Sequence, residues 1–334
     1  MSVNSVSKRS SSVSQEDLRI KPPLTGLFKF LAPPRGDESM LHVCAEVIAA
    51  ARAGLIGIDP DEFIAMCEMC DAHGRDVKQF LEKMPGAVAS ALSASLIAAF
   101  ALYTAELCAG DSPYSVCNCA LRAADRSKCK PFVPFIWFLL HAMAKCDRYD
   151  GTNVFRGVKA DLSAEYPKDR EFTWFQFSSC TCDIQVEQSE QFCGSSGTRT
   201  LFSIELTTGR ARSITKFSLV PKEAEVLLPP NSRFRVLGQL DAGNGLVIIQ
   251  LKELPPKDPI VDFDAVSAAA GHVSVAPAPA FASVSVSALA FAPAPSPAPA
   301  PSPLSSLSVD EVALLVRLRR SSFSSLLPAA ALCT

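Results

Sequence analysis

Hydrophobic positions repeat with two different periods along the chain, and the change falls near residue 149. Between residues 40 and 145 the spacing is helical, with Leu41, Cys44, Val47, Ile48 and Ala51 recurring at three and four. Asp59 supplies an N-cap, Pro60 takes the first helical position, and Glu62 sits at the capping-box position ahead of Phe63 and Ile64. A third helix is expected after Gly74 and a fourth after Pro85-Gly86. Residues 86–105 carry no charge and are long enough for a membrane span. They are mostly Ala and Ser, without a Trp/Tyr belt beyond Tyr103, so the pattern reads as a buried soluble helix. Residues 132–144 predict a further core helix, too short to span.

Beyond residue 149 the period becomes two. Short apolar or alternating runs fall at Phe155 and at 172–177, 201–206, 214–219, 226–228, 234–240 and 246–251, separated by Gly, Pro, Asn and charged residues. Asn244-Gly245 between the last two predicts a hairpin. No long helical pattern interrupts these runs. Helices grouped ahead of an antiparallel or mixed sheet make an α+β fold, not a doubly wound one.

Composition changes this picture mainly at the ends. Of 334 residues, 32 are basic and 34 acidic, a net charge of −2 that excludes a polybasic nucleic-acid scaffold. Residues 1–40 are Ser-rich and polar, with no apolar signal-peptide core, and are expected to be disordered. Many of the 25 prolines lie in Ala-Pro repeats within 257–307, an extended linker. A capping box at Ser308-Val309-Asp310-Glu311 opens a short amphipathic helix in 308–334, with Val312, Leu315, Val316 and Leu318 on its apolar side. This segment is a candidate for docking a partner. Residues 41–90 form a helical N-terminal region, and 91–256 the principal domain.

The 12 cysteines are too dilute for a disulfide scaffold, and without a secretory signal they read as reduced thiols in a cytoplasmic protein. Cys67-x2-Cys70-x2-His73, with His42 and Cys44 nearby, has metal-like spacing. On one helix, however, the i+6 position drifts off the face shared by i and i+3, and Cys is an ordinary core residue. No metal is expected. Cys180 and Cys182 share a strand face, spaced too far apart for an easy disulfide.

The β-rich half carries a series of short motifs. In order these are Phe155-Arg156-Gly157-Val158, Phe177-Ser178-Ser179-Cys180-Thr181, Arg199-Thr200-Leu201-Phe202, Phe217-Ser218, and Pro221-Lys222-Glu223-Ala224-Glu225-Val226-Leu227-Leu228-Pro229-Pro230, closing at Phe234-Arg235-Val236. In this order and spacing the set resembles the arginine-specific mono-ADP-ribosyltransferases of the R-S-E class. Ahead of it, Tyr103-Thr104 and Asn118-x-x-Leu121-Arg122 are similar to that family's Tyr-Thr and Asn-x-x-Leu-Arg elements. The resemblance covers roughly residues 91–254. It departs at Cys180, which stands where the family has the middle Thr of Ser-Thr-Ser, while Thr181 keeps a hydroxyl.

The resemblance implies an NAD-cleft fold and transfer of ADP-ribose from NAD⁺, as co-substrate, to an arginine guanidinium of an acceptor protein. Glu225 is then the catalytic carboxylate facing the oxocarbenium-like charge that develops at the ribose. Glu223 holds the incoming guanidinium and helps remove its proton. Ser179 hydrogen-bonds Glu225 and the ribose. Arg156 clamps the dinucleotide phosphates, and Gly157 allows close backbone approach to the nicotinamide amide. Gly-x-Gly-x-x-Gly is absent from the sequence, which excludes a Rossmann dehydrogenase. Two alternatives remain open at this stage, an NAD glycohydrolase on the same fold and a non-catalytic interaction module.

Overall fold

The computed structural model describes residues 23–83, 92–108, 110–185, 193 and 196–269. The Ser-rich start of the chain, most of the Ala-Pro linker and the capping-box segment at 308–334 lie outside the described residues.

Helices come first: α1 (Met40–Val43), α2 (Ala45–Arg52), α3 (Pro60–Lys83), α4 (Ala94–Tyr103), α5 (Pro113–Arg122) and α6 (Val133–Lys145). The start of α3 is capped as its sequence predicts, with Asp59 Oδ1 accepting the N–H groups of Asp61 at 3.1 Å and Glu62 at 2.8 Å. The expected break at Gly74 does not occur. That glycine lies inside one continuous α3, because a Cβ there would sit 2.3 Å from the Ala94 carbonyl oxygen. Gly74 is therefore a close-approach residue where α3 crosses α4. Residues 95–103 of α4 are all buried, in keeping with a core helix, and among the described residues no helix is long and apolar enough to cross a membrane.

Eight strands follow: β1 (Asn153–Val158), β2 (Glu171–Trp174), β3 (Ser178–Thr181), β4 (Arg199–Glu205), β5 (Arg212–Ser213), β6 (Glu225–Leu228), β7 (Ser232–Asp241) and β8 (Leu246–Leu254). They form one sheet in the order β2-β7-β8-β4-β1-β3-β6-β5, with only the β4/β8 pair parallel among the named strands. The α+β expectation holds. Asn244 and Gly245 both have positive φ, 51° and 75°, and close the β7–β8 hairpin as a primed turn. A last helix, α7 (Phe263–Ala269), returns to the helical layer, where Ser267 Oγ donates to the Ala144 carbonyl at 2.6 Å.

Three expectations need correction. The run 214–219 is a turn, not a strand: Phe217 and Ser218 donate to the Ile214 carbonyl, and Phe217 stacks on Phe100 with centroids 5.2 Å apart. Its apolar residues plug the helical core, so they imitate a strand pattern. Structure also begins before residue 40, since Leu24 and Phe28 are buried in the helical core. It continues past residue 257, where Val261 and Phe263 join the same core.

Two cores flank the sheet near β6. Leu227 packs with Phe177 and the helices, whereas Val226 and Leu228 join Val154, Cys180, Phe202 and Phe234 in the second core. Side chains alternate along a strand, so Glu225 shares the helix-facing side with Leu227.

Candidate active site

The three motif-bearing strands are neighbours, β1-β3-β6, although 66 residues of sequence (159–224) separate the end of β1 from the start of β6. Phe155 pairs with Thr181, and Thr181 with Glu225. Ser179 lies opposite Leu227, which makes it the diagonal neighbour of Glu225 on one face. The side chains meet accordingly. Ser179 Oγ donates to Glu225 Oε1, and Arg156 Nη1 donates to the Ser179 carbonyl. Gly157 follows Arg156 on the same strand.

Glu225 is only 4% exposed at the head of a fully buried strand. Burial pushes its carboxyl up to about 7; the Ser179 hydrogen bond and the Arg156 charge oppose the rise, and the Glu223 charge adds to it. Glu223 belongs to a different kind of segment. It ends a one-turn 3-10 helix at Pro221–Glu223, and Ala224 then adopts a left-handed conformation, φ 45° and ψ 44°. That kink takes Glu223 off the strand's alternation while keeping it close enough to act on Glu225. Burial, and then the charge of Glu106, raise the Glu223 carboxyl above its ordinary range. The Cys182 N–H donates to the Ala224 carbonyl at 3.5 Å, which fastens the kink to the end of β3.

Tyr103 and Asn118, noted in the sequence without individual roles, turn out to position β3. Asn118 Nδ2 donates to the Tyr103 hydroxyl at 3.3 Å, and Asn118 Oδ1 accepts the Phe177 N–H at 3.1 Å, two residues before Ser179. Tyr103 also packs edge-on against Phe177. Burial and then the Glu225 charge raise the Tyr103 phenol well above its ordinary value, so it stays protonated. Thr104 Oγ1 accepts the Leu219 N–H at 3.0 Å, tying the end of α4 to the segment that leads into Glu223.

Other candidates fall elsewhere. Cys180 points into the second core, away from Glu225. Cys67 and Cys70 are fully buried in the helical core, and His73 Nε2 lies 3.2 Å from the Phe217 carbonyl oxygen. Among the described residues, no group of three His, Cys, Asp or Glu side chains is arranged to hold a metal ion. Glu106, whose charge acts on Glu223, lies two residues beyond Tyr103-Thr104 in the loop before α5 and has no motif of its own.

A family model described as NAD:arginine ADP-ribosyltransferase matches residues 74–257. Mav of Mycobacterium avium (strain 104), whose name describes an NAD(+)--arginine ADP-ribosyltransferase, is 35% identical over 118 residues, or 34% of this chain and 14% of that protein. The match thus spans about a seventh of that relative's length. Among solved structures, the Vis toxin, an ADP-ribosyltransferase from Vibrio splendidus, is 23% identical over 56% of this chain and 86% of its own, with a TM-score of 0.41. The ADP-ribosyltransferase HopU1 of Pseudomonas syringae pv. Tomato DC3000 is 20% identical over 64% of this chain and 97% of its own, with a TM-score of 0.44.

Proposed function

This chain belongs to the NAD:arginine ADP-ribosyltransferase family, and from that premise we propose that it transfers ADP-ribose from NAD⁺ to an arginine guanidinium of an acceptor protein, releasing nicotinamide. The observation that carries the proposal is the buried Glu225 carboxylate held by Ser179. Cleaving the bond between nicotinamide and ribose leaves positive charge on the anomeric carbon. A preorganised carboxylate shielded from water stabilises that charge far better than one in bulk solvent. Ser179 fixes which oxygen of Glu225 faces the ribose.

Arg156 is the phosphate clamp in this reading. One guanidinium nitrogen is anchored on the Ser179 carbonyl, so the fork is pre-set before the dinucleotide arrives. Gly157 leaves the backbone open to the nicotinamide amide. Glu223 receives the acceptor. A guanidinium is a poor nucleophile while fully protonated, and a carboxylate whose proton affinity is already raised is suited to relieve it of a proton as the nitrogen attacks.

Hydrolysis of NAD⁺ uses the same Glu225 with water as acceptor, and one experiment separates the two. Purified full-length protein is incubated with NAD⁺ labelled in the ADP-ribose part and with agmatine. Transfer predicts labelled agmatine in excess of free ADP-ribose. Free ADP-ribose alone makes the protein a glycohydrolase, and unconsumed NAD⁺ makes it an interaction module.

A further inference from the structure

Ala224 separates the two glutamates, in a backbone region that glycine enters freely and alanine does not. At φ 45° and ψ 44° an alanine is strained, and such a conformation persists only where neighbouring groups impose it. The turn imposes part of it from within. The Glu223 N–H donates to the Val220 carbonyl at 3.2 Å, and the Ala224 N–H to the Pro221 carbonyl at 3.3 Å. The rest comes from outside the turn, from Cys182.

Cys182 meets the Ala224 carbonyl twice. Its N–H donates at 3.5 Å and its Sγ–H at 3.6 Å, the first long for nitrogen and the second ordinary for the larger sulfur. One donor leaves a carbonyl free to swing about a single line. Two donors fix the plane of the peptide that joins Ala224 to Glu225. Cys182 is itself held, by a turn that Thr181 closes around it. Thr181 pairs with Glu225 across the β3/β6 ladder; its Oγ1 accepts the Asp183 N–H at 3.1 Å and donates to the Asp183 carbonyl at 3.3 Å. The Cys182 thiol is exposed, so core packing does not account for it, whereas Cys180 lies in the second core.

We infer that Cys182 is a positioning residue for the acceptor step: its thiol and N–H together hold the Ala224 peptide and so set where Glu223 stands relative to Glu225. The inference rests on the transferase reading above. Glu225 does not depend on this clamp, because β3 and β5 flank its strand and Ser179 holds its carboxylate. Glu223 lies on the far side of the kink, where a swing of that peptide moves it and leaves the strand in register. Transfer to a guanidinium needs Glu223 in place as the nitrogen attacks, whereas hydrolysis needs Glu225 and water. A loosened clamp therefore costs transfer before it costs hydrolysis, and the thiol biases the partition between the two acceptors.

The test measures transfer to agmatine and, without agmatine, hydrolysis of NAD⁺, both at saturating NAD⁺, in the full-length protein and two variants. Cys182→Ala keeps the N–H and removes the thiol. It is expected to lower kcat/KM for agmatine about fivefold, with hydrolysis within about twofold of wild type. Cys182→Ser puts a hydroxyl donor on the same carbon and is expected to restore transfer to within about twofold of wild type. Rescue by serine separates positioning from packing, since alanine and serine fill nearly the same space at an exposed position. An alanine variant that transfers within about twofold of an active wild type overturns the inference alone. So does a parallel fall in hydrolysis, or a serine variant no better than alanine. A wild type that consumes NAD⁺ without labelling agmatine overturns the transferase reading and this inference with it.

Discussion

Glu223 and Glu225 are the same carboxylate chemistry two residues apart, in two regions built on opposite principles. Glu225 opens a strand whose four residues are all buried, and its oxygen accepts from Ser179. Glu223 closes a one-turn helix beside solvent, half-buried, with a left-handed Ala224 after it. In the proposed reaction the strand holds one geometry against a charge that appears only in the transition state. In the same proposal the turn presents the carboxylate that receives the acceptor. On that proposal one short motif divides two tasks: regular backbone supplies precision, and a kink supplies access. Without the kink, strand alternation would hold both carboxylates on one face, and Glu223 would be buried beside Glu225.

The sharpest way to break the comparison is Glu225→Gln. Glutamine keeps the shape and a hydrogen bond to Ser179 but has no negative charge, so transfer and hydrolysis should fall together by about 10²–10⁴. NAD⁺ should still bind within about tenfold, because ground-state contacts remain. A variant retaining more than about a tenth of the wild-type hydrolysis rate removes Glu225 from the mechanism. The same substitution reads out stability. The folded state raises this carboxyl from 4.5 to about 7, so between those values it binds more protons than the unfolded chain. Stability therefore falls as pH rises through that window. Glu225→Gln should unfold at higher temperature than the wild type at pH ~8 and show little or no such gain at pH ~4.

Glu223→Gln tests the other region. It should lower transfer to agmatine about a hundredfold while leaving measurable NAD⁺ hydrolysis, since the amide positions an acceptor but takes no proton. Product analysis on agmatine and free ADP-ribose decides it; a wild-type transfer rate contradicts the division of tasks. Smaller again is the effect of pH on the wild type. The proposed role of Glu225 needs its ionised form, so kcat/KM should rise about tenfold per pH unit up to about 7 and then level. In the proposed complex NAD⁺ would bring a cationic nicotinamide ring towards Glu225, so the inflection in kcat should lie below that in kcat/KM. A kcat/KM profile flat between pH ~5 and ~8 would show that another step masks the carboxylate.

Much of this was legible in the sequence, and the gaps have physical causes. The change of period near residue 149 gives the α+β order, and the cap at Asp59 and the turn at Asn244-Gly245 are written locally. Arg156, Ser179 and Glu225 follow from motifs on strands, and pairing across β1-β3-β6 brings them together. Gly74 misleads because a glycine needed for helix crossing has the same symbol as one that ends a helix. Residues 214–219 mislead because burial in a turn leaves the same apolar pattern as burial in a strand. Glu106 has no local signature at all. Its position depends on tethers from Glu62, Thr104 and Gly57, each distant in sequence or set by the fold.

The smallest expected effect sharpens the comparison by crossing β3 from one face to the other. Cys180 lies between Ser179 and Thr181, and at 4% exposure its side chain is packed into the core opposite Glu225. Its neighbours there include Val226 and Phe202. Cys180→Thr keeps the size and suits a strand, but it places a hydroxyl in an apolar site. If that hydroxyl finds no partner, the fold should lose about 1–3 kcal/mol; if it reaches the Ser178 carbonyl, on which the thiol now rests at 3.7 Å, the loss should be smaller. In either case Ser179 and Glu225 stay on the other side of the backbone, so the transfer rate should remain within about twofold of wild type, well inside the range of an indirect packing change. Denaturant unfolding and agmatine labelling on the same preparation measure both quantities. A tenfold change in rate would mean that the two faces of β3 are mechanically coupled, and that the rigidity attributed to β6 depends on packing in the second core.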